Sequence, residues 1–476
     1  MDTSNRQPIT LDTTLNDLYR LDGDNEEIVL VYAVPTGEVQ MMSQLPLDKH
    51  FAYQSPMTDI TDGKMLARIF LQVVPQLLGF IAGEMPVIMF DLDRKNEGNV
   101  NEGDRMRGSN QSREDLDSQR QHRRDAFETF NQLAPHQKPQ LRFVSSPLDI
   151  VLKAGAKAGI FNPMDCLTHL PHTVDPEIHF ELLSKRSLAF SGLPTPPTEV
   201  VDVVIEPDQT TNDSLVEGEA RRIINRITSR PIPFVVKLPQ ALAGQGTFLI
   251  RDESQRQDTL KVLDDSQYVK RMLHQLTISN AHLHPASLVL QDMMPGEAVA
   301  LSFFVTKSGT SVFIACCKQL VDDSGHWGGG WISYLEQEEL HREWADTIDK
   351  AAAYLHGKGY YGPVGIDVMT NGEGEQLIID MNVRACGSHP LGLLKGHVMR
   401  QGLQEAAILF PLFFPYTRGD FDATFLEDLA AGRLVVGGWS HYNGGKAGVG
   451  TVILAASDAA SLTSLVSRVK KYAQSE

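Results

Sequence analysis

Oxygen-bearing side chains recur at alternate positions in two apolar segments near residue 370. Asp367 lies in the first segment, and Ile378, Asp380 and Asn382 share one face of the second if that segment is extended. Asn371–Gly374, between the two segments, combines residue types that tolerate the backbone of a tight turn. We therefore predict a β-hairpin on which two carboxylates and an amide converge.

Two carboxylates and an amide oxygen form a donor set that hard divalent cations prefer. Mg²⁺ held by carboxylates together with nucleotide phosphates suits Asp367, Asp380 and Asn382, and Mn²⁺ is an alternative ion. Arg384 follows just beyond, and its planar guanidinium is suited to a phosphate or a carboxylate. The competing interpretation is a hairpin whose polar face simply meets water, as in many antiparallel sheets. The spacing alone leaves both interpretations open.

The overall composition is that of a soluble globular protein with more than one domain. Its 476 residues are enough for two or three domains, and 42% hydrophobic and 22% charged residues are ordinary values. The formal net charge of −17 argues against nucleic acid or an anionic membrane as a partner. The N-terminus lacks the apolar core of a secretory signal, and we expect no transmembrane segment.

The cysteines are typical of a protein kept in a reducing compartment. They form no Cys-x-x-Cys pair, so their spacing suggests neither a zinc site nor a disulfide framework: Cys166, Cys316, Cys317 and Cys386. We therefore predict a cytoplasmic protein.

The first part of the chain has the pattern of an α/β domain. Apolar strands are predicted at residues 27–34 and 86–90, with a helix over residues 65–81 between them. Residues 93–124 are polar and nearly free of large apolar side chains, so we predict a flexible insert. A tolerated surface loop explains this insert more simply than a docking or regulatory segment. Residues 141–161 are predicted to form a strand, a helix and a glycine turn.

A lysine and a glycine-containing loop form a second candidate site. Residues 234–237 are an apolar strand that ends in Lys237, and the loop that follows contains Gly244 and Gly246. Glycine lets backbone N–H groups approach phosphate oxygens closely, and lysine supplies a positive charge. The loop lacks the ending of a Walker motif, and an ordinary glycine hairpin between two strands explains it equally well.

Taken together, these motifs resemble the ATP-grasp superfamily over residues 180–397. In that family an acidic residue on one strand is followed by an acid-x-Asn-x-Arg segment on the next, as Asp367 is followed here by Asp380–Arg384. Three further motifs precede them in the family's order. They are a lysine-bearing helix over residues 179–190, the lysine with its glycine loop, and a hinge at residues 291–296.

The resemblance implies a fold and a domain organisation. We expect an α/β N-terminal domain over residues 1–178, which includes the insert. An α+β ATP-grasp fold, with two subdomains that clamp ATP, would follow over residues 179–400. A small C-terminal α+β region would complete the chain over residues 401–476.

The resemblance also implies roles for individual residues. The metal ligands would be Asp367, Asp380 and Asn382, and Arg384 with Lys318 would stabilise charge during the transfer. ATP would be bound by residues of the helix, the glycine loop and the hinge: Lys185, Lys237, Gly244, Gly246, Gln291, Asp292, Met294 and Glu297.

Some of these positions depart from the family's pattern. Family members often carry the helix lysine one turn earlier, at Glu181 here, so an exposed helical lysine is an equal interpretation of Lys185. Gln291 replaces a frequent glutamate and would meet the adenine amine through its amide oxygen. Glu297, one residue early, substitutes for the family's ribose-binding glutamate, and Met294 also fits simple core filling.

Ser388 and His389 are candidate substrate residues in the loop after the hairpin. Biotin-carboxylase-like members carry a catalytic glutamate where Ser388 stands, and this difference argues against bicarbonate activation. His389 is either a substrate ligand or a residue that anchors the loop. A further run of glycines, Gly328–Gly330, is interpreted as a loop over the substrate or as an ordinary turn.

The chemistry that the resemblance implies is ATP-dependent ligation. A carboxylate would attack the γ-phosphate to give an acyl phosphate and ADP, and an amine, or less readily a thiol, would displace phosphate. The chain is most similar to carboxylate–amine ligases of the D-alanine–D-alanine or L-amino-acid kind, and to fungal ATP-grasp proteins, some associated with secondary metabolism. The partners would be small molecules, with homo-oligomerisation left open. The alternative is a regulatory or scaffold protein that binds ATP without turnover.

Overall fold

A computed structural model describes residues 7–23, 25–35, 48–54, 60–91, 108–241, 246–265, 267–321, 327–442 and 446–474, with the backbone alone at residues 60–69, 108–118 and 442. These residues form three β-sheets with helices packed against them. Within these ranges no helix has both the length and the apolar character that crossing a membrane requires.

The N-terminal sheet is parallel and is surrounded by helices. Its elements are α1 (Leu15–Tyr19), β1 (Ile28–Val31), α2 (Ile60–Gly79), β2 (Pro86–Phe90), α3 (Gly108–Phe130), β3 (Gln140–Val144) and β4 (Lys157–Ile160). The strand order is β3-β2-β1-β4, and all neighbours are parallel. β1 and β2 are apolar throughout because both faces of a parallel sheet are covered, and all their residues are buried. The predicted α/β N-terminal domain is confirmed.

Two N-terminal segments differ from the prediction. Residues 108–124, the second half of the predicted flexible insert, belong to α3, whereas residues 93–107 lie outside the described ranges. Gln, Glu and Arg favour helices, and the buried Ala126 and Phe130 anchor the end of this helix on the domain. Residues 141–161, which are all described, contain β3 and β4 rather than an α-helix, because β4 pairs along its whole length with β1.

The second sheet is small and antiparallel, with strands in the order β5-β8-β6-β7. This region contains α4 (Pro176–Leu182), α5 (Lys185–Ala189), β5 (Thr198–Val201), α6 (Asp213–Ser229), β6 (Phe234–Lys237), β7 (Thr247–Ile250), α7 (Glu253–Leu260), α8 (Tyr268–Leu273) and β8 (Leu288–Asp292). The predicted helix over residues 179–190 is therefore two helices. Ser184 separates them because its side chain accepts the N–H of Arg186 and caps the start of α5.

The third sheet has eight antiparallel strands in the order β13-β12-β9-β10-β11-β14-β16-β15. Its strands are β9 (Val299–Val305), β10 (Ser311–Val321), β11 (Trp327–Ser333), β12 (Gly362–Thr370), β13 (Gln376–Asn382), β14 (Glu405–Phe414), β15 (Leu434–Tyr442) and β16 (Ala447–Ala456). Its helices are α9 (Gln337–Gly357), α10 (His389–Leu393), α11 (Lys395–Met399), α12 (Arg418–Thr424), α13 (Leu426–Ala430) and α14 (Ala459–Gln474).

The two faces of this large sheet bury different partners. One face packs against the N-terminal sheet, where Ile332, Leu391 and Ile408 share a core with β1 and β2. The opposite face is covered by α9 around Ile366 and by α14 around Leu454. Side chains on one face of this sheet therefore point towards the N-terminal domain, and side chains on the other face point away from it.

The strands after residue 400 extend the large sheet, because β14 pairs with β11 and β16 pairs with β14. The glycine run interpreted as a loop, Gly328–Gly330, lies inside β11. A Cβ on Gly329, whose φ is +153°, would lie 2.0 Å from the Ile408 carbonyl oxygen, so close pairing with β14 requires glycine there. The division of the chain into three domains at residues 178 and 400 stays a prediction.

Candidate active site

The predicted hairpin is formed by β12 and β13, and Asp367 lies directly opposite Asp380. A bulge follows, because Val368 pairs with Ile378 and leaves Ile379 as an extra residue on β13. Asp380 keeps its predicted place, but Ile378 moves to the opposite face and is fully buried in the core beneath α9. The prediction that Ile378 shares a face with Asp380 is wrong, since one extra residue reverses the alternation.

The two facing carboxylates have opposite electrostatic environments. Burial, together with the neighbouring Asp380, raises the pKa of Asp367 to about 7. Burial also acts to raise the pKa of Asp380, but Lys185, Lys237 and Arg384 outweigh it and hold that pKa below its usual value. Asp380 is thus stabilised as an anion by three cations, whereas the ionisation of Asp367 next to it is disfavoured.

Lys237 connects the small sheet to the hairpin. It is the last residue of β6, and its Nζ donates to Gln291 Oε1 at 2.8 Å and to the carbonyl oxygen of Ile379 at 2.6 Å. Burial lowers the pKa of this amine to about 8. The bulged residue of the hairpin therefore supplies an acceptor for the buried lysine.

Lys185 lies on the same side of the hairpin. It is the first residue of α5, and its Nζ lies 3.3 Å from Asp380 Oδ1 and donates to the Ala241 carbonyl at 3.0 Å. Its side chain is only 11% exposed, which favours a role in the site over the interpretation as an exposed helical lysine. Glu181, one turn earlier, is 53% exposed and pairs with Lys358.

Arg384 is held between the hairpin and the N-terminal domain. Its Nη2 donates to Asn382 Oδ1 at 2.8 Å, and its guanidinium carbon lies 4.9 Å from the centre of the Phe161 ring. Phe161 follows β4 at the carboxyl edge of the parallel sheet. Phe161 carries no local sequence signal for this role, because the pairing of β4 with β1 is what brings it to Arg384.

The predicted hinge residues occupy different environments. Gln291 is buried, and its amide oxygen already accepts from Lys237, so an adenine amine would use its second lone pair; its nitrogen donates to Thr198 Oγ1 at 3.0 Å. Asp292 is largely exposed and pairs with Arg230 at 2.7 Å. Met294 is half-buried and Glu297 is exposed.

The glycine loop is described only at its edges. Gly244 lies outside the described residues. At Gly246 a Cβ would lie 2.2 Å from the Cβ of Ala241, so the chain can turn back to β7 here only with glycine.

Lys318 does not join the cluster. Asp367 pairs with Ala300 on β9, and Ala300 pairs with Cys317 on β10. Lys318 is the residue after Cys317, and it pairs with Val299. Side chains in register across a sheet share a face, so Lys318 points to the opposite face from Asp367. The predicted partnership of Lys318 with Arg384 therefore does not fit this geometry.

The loop after the hairpin is held from inside. His389 is fully buried, and its Nδ1 accepts the N–H of Cys386 at 3.0 Å. Ser388 is also buried, with its Oγ 2.7 Å from Ser302 Oγ. These contacts favour the interpretation of His389 as a loop anchor over that of a substrate ligand.

The oxygen donors of the hairpin fit a divalent cation. Asp367, Asp380 and Asn382 lie on one face, and the first two are in register across the hairpin. Burial and repulsion from Asp380 raise the pKa of Asp367, and a bound cation would offset both by favouring the charged carboxylate. Asn382 Oδ1 already accepts from Arg384, so it would share its second lone pair with an ion. The set suits Mg²⁺ or Mn²⁺.

The buried histidines near the site predict acid sensitivity. His179 Nε2 lies 2.7 Å from the Val383 carbonyl, and burial lowers the pKa of this ring to about 4. The unfolded chain takes up a proton near pH 6.5 and the folded ring does not, so stability falls as pH drops from 6.5 towards 4. We expect the free energy of unfolding of the wild type to fall between pH 7 and pH 5. In His179→Gln this decrease should be smaller by about 2 kcal/mol.

Urea unfolding at the two pH values measures this difference. His274→Gln, at an exposed histidine on the C-terminal end of α8, is the matched control and should follow the wild type. An identical loss in His179→Gln and wild type would contradict the prediction.

Residues 221–388 match the family model described as an ATP-grasp domain. This range includes Lys237, the hinge and the hairpin with its carboxylates, in the order that the sequence motifs predicted. The chain therefore contains an ATP-grasp domain, and the predicted fold is confirmed.

Individual relatives are more distant. L-propargylglycine–L-glutamate ligase of Streptantibioticus cattleyicolor is 25% identical over 119 residues, which cover 24% of this chain and 24% of that protein. The match thus spans about a quarter of the length of the curated relative.

Two solved structures of low identity are also similar to the chain. N5-carboxyaminoimidazole ribonucleotide synthetase from Thermus thermophilus has 15% identity and a TM-score of 0.43, covering 71% of this chain and 89% of its own. Phosphoribosylamine–glycine ligase from Thermotoga maritima has 12% identity and a TM-score of 0.43, covering 94% of this chain and 96% of its own.

Proposed function

We propose that this protein is an ATP-dependent ligase that joins a carboxylate to an amine through an acyl phosphate, with release of ADP and phosphate. The observation that carries the proposal is one cluster inside the matched ATP-grasp segment. There Asp367 and Asp380 face each other across a hairpin, and Lys237 and Arg384 flank them. Phosphoryl transfer from ATP needs carboxylates that bind a metal ion, and it needs basic side chains beside them that bind the phosphates.

Asp367, Asp380 and Asn382 would hold Mg²⁺, or Mn²⁺, against the phosphates. When bound, the ion neutralises phosphate charge and acts as a Lewis acid towards the transferred phosphoryl group. Lys185, 3.3 Å from Asp380, and Lys237 would supply positive charge to the nucleotide phosphates next to the ion. Lys237 already sits at the junction of the small sheet and the hairpin, where it would steady phosphates bound between them.

Arg384 is the residue best placed to stabilise charge on the substrate side. It is fixed by Asn382 on one side and by the Phe161 ring on the other, so its fork is oriented before substrate arrives. There it would stabilise the transferring phosphoryl group and the oxyanion that forms when the amine attacks the acyl phosphate. Lys318 is left out of this mechanism because it lies on the opposite face of the sheet.

Amino acids are the substrate class that the curated relative suggests. The name of that relative describes a ligase of two amino acids, L-propargylglycine and L-glutamate. An L-amino acid as the carboxylate and a second one as the amine are therefore the first pairs to test, in keeping with a role in secondary metabolism in the cytoplasm.

A screen of carboxylate and amine pairs for phosphate release tests the proposal. Purified protein with Mg²⁺–ATP should release phosphate and ADP in equal amounts only when both substrates are present, and mass spectrometry should detect the amide. Asp380→Ala is the blank and should show no substrate-dependent release. Binding of Mg²⁺–ATP without release for any pair would favour the regulatory or scaffold alternative.

A further inference from the structure

A cluster of three metal-ligating side chains lies outside the candidate active site. His50 Nε2 is 2.8 Å from Glu177 Oε1, and His282 Nε2 is 3.3 Å from the other oxygen of the same carboxylate. One donor atom of each residue lies within 4.8 Å of the other two. The cluster is open to solvent, since Glu177 and His282 are exposed and His50 is half-buried.

Backbone hydrogen bonds fix the segment that carries His50. The N–H groups of His50 and Phe51 both donate to the carboxylate of Asp165, at 3.2 Å each. The Phe51 ring packs against Phe180 of α4, with ring centres 5.3 Å apart. The ring of His50 is therefore carried by a segment that is anchored at its backbone and at the next side chain.

The other two residues are anchored as well. Glu177 is the second residue of α4, and its N–H donates to Asp175 Oδ1 at 2.9 Å. His282 lies in a short 3₁₀ turn that follows the buried Asn280, whose amide donates to the carbonyls of Lys49 and Gln275 at 2.8 Å each. Three segments far apart in sequence thus meet at one point.

Two imidazoles and one carboxylate form a donor set typical of zinc. Zinc binds histidine nitrogen and carboxylate oxygen at about 2.0–2.2 Å, so tetrahedral ligands lie about 3.3 Å apart. The two contacts in the structure, 2.8 and 3.3 Å, are close to that separation. Three protein ligands leave the fourth position on the solvent side for water.

We propose that His50, Glu177 and His282 form a Zn²⁺ site. The ion would replace the protons now shared between the rings and the carboxylate. It would tie the turn at residues 281–283, which leads into the small sheet, to α4 and to residues 48–54. Zinc binding should therefore stabilise the fold by restraining these three segments together.

The test is a zinc titration of the full-length protein after treatment with EDTA and its removal. A chromophoric chelator competes for zinc, and millimolar Mg²⁺ is present so that the oxygen donors of the hairpin are not counted. We expect one equivalent of zinc to bind, and the thermal unfolding midpoint to rise with zinc. His282→Ala and His50→Ala should each weaken zinc binding by about tenfold or more.

His274→Ala, at an exposed histidine outside the cluster, is the matched control and should bind zinc as the wild type does. Co²⁺ should give visible absorption typical of a four-coordinate site, which is lost in Glu177→Gln. Absence of zinc binding by the wild type at zinc concentrations up to about 100 µM would overturn the proposal. Unchanged affinity in His282→Ala would do the same and would leave an ordinary surface hydrogen-bonded cluster.

Discussion

Asp367→Asn should lower substrate-dependent ADP formation by about 10³-fold or more while the protein stays folded. The variant keeps the size of the side chain but removes one of the two carboxylates that would hold the cation. Charge stabilisation by a bound metal contributes several kcal/mol to the transition state, and each 1.4 kcal/mol is about tenfold in rate. Initial rates at saturating Mg²⁺–ATP measure the loss.

The two hairpin carboxylates should differ sharply in their effect on stability. Burial and Asp380 raise the pKa of Asp367 to about 7, whereas the unfolded carboxyl ionises near pH 4, so the folded protein loses stability as the pH rises from 4 to 7 and bears the full cost of a second anion above pH 7. Asp367→Asn removes this cost, and we expect a free energy of unfolding at pH 8 that is higher than in the wild type by about 1–3 kcal/mol. The difference should shrink as the pH falls below 7 and should disappear only near pH 4, where the carboxyl is protonated in both the folded and the unfolded chain.

Asp380→Asn should lower activity as much as Asp367→Asn does. Unlike Asp367→Asn, it should also destabilise the protein. It would leave Lys185 and Lys237 without their nearest counter-charge, and because Asp380 is 25% exposed we expect a cost of about 1–3 kcal/mol, less than for a fully buried pair. Urea unfolding in EDTA compares the two variants in the absence of metal. Asp346→Asn, at a 77% exposed position on α9, is the control for a surface carboxylate and should match the wild type. Equal destabilisation by both hairpin variants would refute the assigned electrostatics.

The sequence predicted the elements of the hairpin but not its detailed register. Alternation of side chains and a turn at residues 371–374 were enough to place Asp367 roughly opposite residues 378–380, and the structure pairs it with Asp380. The bulge at Ile379 could not be predicted, because it depends on how β13 meets Lys237 and the core beneath α9. A period-two pattern cannot reveal one extra residue, and that residue decides that Ile378 is buried.

The site residues that come from other elements show the same limit. Lys237 was identifiable because it ends an apolar strand before a glycine loop, which is a local signal. Phe161 beneath Arg384, and the face to which Lys318 points, follow from the pairing of strands that are distant in sequence. The composition of residues 108–124 likewise indicated little burial, but low burial does not exclude a helix.

Lys237→Met should weaken ATP binding by about 100-fold. Methionine fills a similar volume but removes the charge and the two hydrogen bonds to Gln291 and Ile379. A charged hydrogen bond in a site shielded from water contributes about 1.5–3 kcal/mol, which corresponds to roughly ten- to more than 100-fold in affinity. Equilibrium titration with Mg²⁺–ATP measures the loss. Lys318→Met, at a lysine on the face of the large sheet opposite to Asp367, is the matched control and should bind ATP normally.

The pH dependence of ATP binding distinguishes a role of this charge from a purely structural role. Burial lowers the pKa of Lys237 to about 8, and bound phosphates would favour its charged form. The free protein loses this proton as pH rises through 8, so binding above pH 8 requires proton uptake and should weaken up to about tenfold for each pH unit. Lys237→Met should abolish this dependence, whereas Lys318→Met should keep it. A wild-type affinity that is constant between pH 7 and pH 9.5 would show that the charge of Lys237 does not contact the nucleotide phosphates.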